Sequence, residues 1–202
     1  MLSDLSLYIP KKSVPLISKW IDELDISLKF VLPRNTKLGD YKYDNKNGNQ
    51  ITINNDLNPY ATLITLTHEI AHAFVFKKYG SNHQPHGKEW KKMYKSLMLN
   101  FLTPQIFPHN ILMYLSAHMI NPSASSSNDI NLILSLREYD SKKSLTIDQI
   151  KIGEKFLYSG RLFVKHSYLR KKIKSLEVKS QKIYLFNPIT KIEIVDCKQN
   201  IV

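Results

Sequence analysis

The sequence predicts an α+β fold in two parts: a helix-rich part from 1 to 144 with a small antiparallel sheet, and a small, basic, all-β part from 145 to 202. Three observations carry this prediction. Apolar residues recur at helical spacing in several separate runs before residue 140. Two stretches of strand character flank an Asn-Lys-Asn-Gly turn just ahead of the longest of those runs. After Leu145 the pattern changes to five short β-type segments separated by turn residues.

In chain order, Val14, Ile17, Trp20, Ile21 and Leu24 predict an amphipathic helix over 13–25, entered through Pro10 and Lys11-Lys12. Ile26, Leu28 and Phe30 alternate with polar or small residues and stop at Pro33, which predicts a strand. Residues 36–44 and 49–54 flank Asn45-Lys46-Asn47-Gly48, whose Asn and Gly residues tolerate positive φ. A hairpin is expected there, and with the preceding strand it makes a three-stranded sheet. Asn58 suits an N-cap, and Pro59 suits the first helical position, where its missing N–H costs nothing. The helix behind them is expected to run to about Lys78 and to stop at Gly80. A loop over 81–85 follows, and then Trp90, Met93, Tyr94, Leu97 and Met98 predict a helix packed on the one before it. Beyond Pro104 and Pro108, Ile111, Leu112, Tyr114, Leu115, His118 and Met119 predict a further helix. Residues 121–128 are polar and turn-rich, a linker or a loop on the substrate side, and Ile130–Glu138 reads as a last short helix capped by Asn128 or Asp129.

The chain has 202 residues of which 43% are hydrophobic, enough for a buried core and a small appended module. No run of 18 apolar residues exists, so no membrane span is expected, and the start shows no basic, apolar leader of the secretory kind. Cys197 is the one cysteine, which rules out an intrachain disulfide and fits a reducing, cytoplasmic setting. The net charge is +12, and residues 151–202 hold 12 Lys and Arg against 4 Asp and Glu. That concentration suits a polyanionic partner, most simply nucleic acid, although a lysine-rich surface also serves solubility alone.

The segment after Leu145 interleaves aromatic and basic residues. Segments 155–158, 161–166, 173–178, 182–186 and 191–195 read as strands of a small barrel or curled sheet. Aromatic faces beside cations suit a sequence-tolerant single-strand binder, and the same aromatics would equally fill a tiny core. Arg161, Lys165, Arg170, Lys171 and Lys172 are the candidate phosphate contacts, with the run Arg170-Lys171-Lys172 foremost.

The chemistry concentrates in Thr67-His68-Glu69-Ile70-Ala71-His72 and, fourteen residues later, His86-Gly87-Lys88-Glu89-Trp90. Two histidines four apart share one helix face, so both imidazoles can reach one metal ion with Glu69 beside them. A catalytic zinc takes three protein ligands and leaves its fourth position to water, whose proton a neighbouring carboxylate can take. With the seven His and seven Glu of this chain, random order gives about 0.01 occurrences of H-E-x-x-H, so chance is a poor explanation. The helix is apolar nearly all round, so it is buried, and buried imidazoles need partners. For the third ligand the residues offer His83, His86 and Glu89. Gly87 favours His86, because glycine lets the backbone turn tightly towards the metal. A metzincin would need Gly at 75 and His at 78, where this chain has Val75 and Lys78.

Leu57-Asn58-Pro59-Tyr60, the run Leu66–His72 and His86-Gly87-Lys88-Glu89-Trp90 resemble the SprT-like metallopeptidases, the family that includes the DNA–protein crosslink protease Spartan. The resemblance spans about 10 to 100 and implies a zincin-like domain in which His68, His72 and His86 hold one Zn2+ and Glu69 is catalytic. It implies a zinc-dependent metalloendopeptidase acting on protein or peptide, and a link to DNA-bound substrates. Many bacterial members end in a four-cysteine zinc ribbon, which this chain, with Cys197 alone, lacks. The other reading open to these residues is a metal-stabilised nucleic-acid or protein adaptor with little turnover.

Overall fold

The computed structural model describes residues 5–34, 36–123, 129–141 and 144–195. They form two units, Met1–Ser141 and Lys142–Val202, each with a hydrophobic core of its own. In the first unit a 3-10 turn over Lys11–Ser13 leads into α1, Val14–Glu23, which buries Ile17, Trp20 and Ile21 as their spacing requires. Three strands follow: β1 Ile26–Val31, β2 Gly39–Asp44 and β3 Gly48–Asn54. Gly48 has a φ of 64° at the turn between β2 and β3, and Asp44 ties that turn by accepting from the backbone N–H of Lys46 and Asn47.

The expected antiparallel sheet is a mixed one. Its order is β1-β3-β2, with β3 antiparallel to β2 and parallel to β1. Burial explains the arrangement: Ile51 and Ile53 of β3 are fully buried and belong at the centre, whereas the polar β2, Gly-Asp-Tyr-Lys-Tyr-Asp, suits an edge. The long connection that a parallel pair needs is supplied by β2 and its two loops.

Helix α2, Pro59–Tyr79, begins at Asn58, whose side chain accepts from the N–H of Tyr60 and Ala61, and ends at Gly80 with φ 62°. Leu63, Leu66, Ile70, Ala71, Ala73 and Val75 are all fully buried, so the helix lies inside the unit with neighbours on every side. It packs against β2, β3 and α3, Lys88–Leu99. Helices α4, His109–His118, and α5, Ile130–Arg137, complete the unit, with the Asp129 side chain accepting from Leu132 N–H to cap α5. Asn128, the other candidate cap, lies outside the described residues.

The second unit is a five-stranded antiparallel sheet of β4 Lys155–Tyr158, β5 Arg161–Leu169, β6 Lys172–Glu177, β7 Ile183–Phe186 and β8 Glu193–Ile194. Its order is β7-β6-β5-β4-β8, so β7 and β8 are the two edges and no pairing closes them into a barrel among the described residues. Ser159 and Gly160, both at positive φ, make the tight turn between β4 and β5. Ile147, Ile150, Phe156, Phe163, Ile173, Phe186 and Ile192 form the core. Among the described residues no helix is long and apolar enough to cross a membrane.

Candidate metal centre

His68 and His72 stand one turn apart on α2, and His86 reaches them from the end of the loop that precedes α3. Their Nε2 atoms form a nearly equilateral triangle: 3.1 Å from His68 to His86, 3.2 Å from His68 to His72 and 3.0 Å from His72 to His86. Each Nε2 is either a donor or an acceptor, so three of them cannot all pair with one another; at least one contact sets like against like. A cation satisfies all three at once. Tetrahedral zinc with Zn–N of about 2.0–2.1 Å spaces its ligand nitrogens about 3.3 Å apart, close to the triangle seen here. The donor set therefore fits one metal ion.

The way His86 arrives differs from the expectation. His86 itself carries the left-handed backbone, φ 60°, while Gly87 is extended at φ −71° and ψ −168°. Gly87 matters for closeness instead: a Cβ there would lie 3.0 Å from the Gln84 carbonyl oxygen and 3.2 Å from Gln84 Cβ. His83 and Glu89 do not join the cluster. His83 Nδ1 lies 2.8 Å from the Gly80 carbonyl oxygen, and Glu89 is exposed in the first turn of α3.

Trp90, fully buried, lies under the triangle, with ring centroids 4.6 Å from His68, 5.4 Å from His72 and 4.7 Å from His86. Tyr94 stacks on Trp90 at 4.9 Å. These aromatics exclude water from the back of the centre. Burial accordingly holds the imidazoles neutral, the form that binds metal: it lowers His68 to about 3 and His72 to about 4, helped by the neighbouring histidines, and lowers His86 in the same direction.

Glu69 is 7% exposed and points to the N-terminal part of β2. Burial, then the nearby Asp40, push its carboxyl up to about 8, opposed by the Tyr41 backbone N–H that it accepts and by Arg34 and Lys37. A bound cation would draw it back towards the ionised form. Gly39 is what allows this approach: a Cβ there would meet Glu69 Oε1 at 2.8 Å and Thr65 Cγ2 at 2.7 Å. Neither Gly39 nor the Tyr41 N–H stood out in the sequence. A glycine within a strand is itself a sign of close backbone approach, and that was the available signal.

The candidate phosphate contacts of the second unit divide. Arg170 and Lys171 form the exposed β5–β6 turn, with Arg170 at φ 52°, and the exposed Lys172 opens β6. Arg161 is partly exposed but engaged: its Nε donates to Glu177 Oε1 at 2.6 Å, and its guanidinium lies 4.7 Å over the Tyr184 ring. Lys165 leaves the set. It is 1% exposed, and its Nζ donates to the carbonyl oxygens of Ile150 at 2.6 Å and Asp148 at 3.3 Å and to the Tyr168 hydroxyl at 3.1 Å. Position in β5 explains this, because Lys165 follows Phe163 by two residues and so shares its inward face.

No curated protein and no solved structure gives a match to this chain. A family model described as SprT-like family matches residues 19–109, the stretch that holds α2, the loop with His86, α3 and the sheet. Over residues 19–109 the chain is similar to the SprT-like family.

Proposed function

We propose that the chain is a zinc-dependent metalloendopeptidase with a zincin-like catalytic domain. The observation that carries this reading is the half-buried triangle of His68, His72 and His86, with the buried Glu69 next to His68 on the same helix. Zinc, when bound, supplies Lewis acidity for polarising a substrate carbonyl and acidifying water. Glu69 accepts the proton of the attacking water and returns it to the leaving amine. Tyr41 N–H and the close approach at Gly39 hold Glu69 in place, and the Trp90 and Tyr94 rings keep the rear of the site dry.

The edge strand supports an extended polypeptide as substrate. The Leu38 carbonyl accepts from Asn54 N–H on β3, so even-numbered residues of β2 face β3 and Gly39, Tyr41 and Tyr43 turn their peptide groups to the free edge. A substrate adding as a strand there passes directly over the centre. For the second unit we propose contact with DNA phosphates through Arg170, Lys171 and Lys172, which would bring DNA-bound proteins to the site.

The test compares zinc-loaded wild type with Glu69→Gln on a DNA-binding protein substrate, with and without single-stranded DNA. Cleavage by wild type and its loss in Glu69→Gln at equal zinc content is the expected result. Equal cleavage by both would remove Glu69 from its role. Cleavage unaffected by DNA, with no change of DNA affinity on Arg170→Glu/Lys171→Glu, would remove the DNA contact. A protein that holds zinc and cleaves nothing would favour the adaptor reading.

A further inference from the structure

On α2 the line His68, His72 continues one turn further to Phe76, which is only half-buried. Over it lies β2. Gly39, Tyr41 and Tyr43 are alternate residues, so their side chains share the face towards α2. Gly39 lies against Glu69, Tyr41 is parallel to the His72 ring at 6.4 Å, and Tyr43 rests on Phe76 at 4.4 Å. The Tyr41 hydroxyl is fixed by Asn49 Oδ1 at 2.8 Å. Tyr43, by contrast, is 41% exposed. An aromatic wall therefore begins at the metal ligands and runs along the edge strand to solvent.

We propose that Tyr43 and Phe76 form a specificity site that selects an aromatic or large aliphatic side chain at one fixed position of the peptide substrate. This deepens the peptidase reading and rests on it. The position follows from strand geometry. The peptide groups of Tyr43 face the free edge, and Tyr43 is the residue of that edge beside Phe76, so an added strand pairs with it there. Residues directly opposite in an antiparallel pair put their side chains on the same face. The substrate residue opposite Tyr43 thus presents its side chain to the Tyr43 and Phe76 rings. A glycine there leaves the rings wet, and a carboxylate is desolvated against them with no cation supplied by the wall.

Matched peptides that differ at one position, Phe, Leu, Gly or Asp, test this with zinc-loaded wild type, Tyr43→Ser and Phe76→Ala, with zinc content as the control for folding. Cut sites are read by mass spectrometry and kcat/KM by fluorescence. Wild type should cleave the Phe and Leu peptides roughly tenfold or more better than the Gly and Asp peptides, always at one spacing from the residue varied. Each variant should lose most of that ratio, the Phe peptide falling far more than the Gly peptide. Equal rates on all four peptides, or variants that keep the wild-type ratio, would overturn the site. Should wild type cleave none of them, the peptidase reading fails separately, and binding of the same peptides to zinc-loaded Glu69→Gln by calorimetry decides the wall. A Phe-over-Gly preference removed by Tyr43→Ser supports it, and equal binding of Phe and Gly peptides overturns it.

Discussion

Gly39 is the residue on which Glu69 depends most directly. Gly39→Ala would drive a methyl group into Glu69 Oε1 and Thr65 Cγ2, and overpacking of that kind costs roughly 1–3 kcal/mol. The nearest atoms to a Gly39 Cβ belong to Thr65 and Glu69 and not to His68, His72 or His86, so the expected result is about a tenfold or larger fall in kcat with zinc stoichiometry retained, checked by steady-state kinetics beside metal analysis. The site also makes a pH signature in zinc-free protein. His68 and His72, lowered to about 3 and 4, bind fewer protons folded than unfolded below about 6.5, so their stabilising contribution is lost as pH falls through that window. Glu69, raised to about 8, acts oppositely, and its contribution is lost as pH rises from about 4.5 towards 8. Thermal midpoints of chelator-treated protein should fall on the acid side of about pH 6.5, and the fall on the alkaline side should be smaller in Glu69→Gln. Identical alkaline limbs would show that Glu69 is not held protonated.

At the scale of the element, what was legible in the sequence is what depends on neighbours along the chain. Asn58-Pro59 and Gly80 bracket α2 because cap chemistry acts within four residues, and the β2–β3 turn follows from Asn47-Gly48 in the same way. The parallel pairing of β1 with β3, the left-handed backbone of His86 and the inward turn of Lys165 each depend on what a distant segment leaves uncovered. Periodicity carries no such information. Asn58 joins the two kinds of constraint. Besides capping α2, its Nδ2 donates to the Leu136 carbonyl at 2.8 Å and to Asp140 Oδ1 at 2.7 Å, pinning the end of α5. Asn58→Ala should cost about 1–2 kcal/mol for the cap and more for the partners left unpaired, lowering the thermal midpoint by about 2–4 °C per kcal/mol. Asn58→Asp keeps the cap acceptor but faces Asp140 with a second carboxylate, so calorimetry should place it between wild type and Asn58→Ala.

At the scale of the whole molecule, the described residues form two cores that share no residue, so damage to one should spare the other. Lys165 gives a clean probe. Its ammonium is bound by oxygen atoms of Asp148, Ile150 and Tyr168, so Lys165→Ala removes a buried donor and leaves a cavity in the second unit. Proteolysis of residues 142–202 should quicken while zinc stoichiometry and the protection of α2 stay as in wild type. Loss of zinc in Lys165→Ala would show that the second unit supports the first. The charge of this region was legible from composition, but composition could not distinguish a lysine that meets solvent from one that holds a loop.

Gly39, Tyr41, His68, Glu69, His72, His86, Trp90 and Tyr94 all lie within residues 39–94. The loops that must close to assemble them are short, so their entropic cost is small and they can form early on the folding pathway. During synthesis that stretch leaves the ribosome before the second unit is made. Metal capture can then accompany translation, and the chain would carry a competent centre before any partner of the basic segment could reach it.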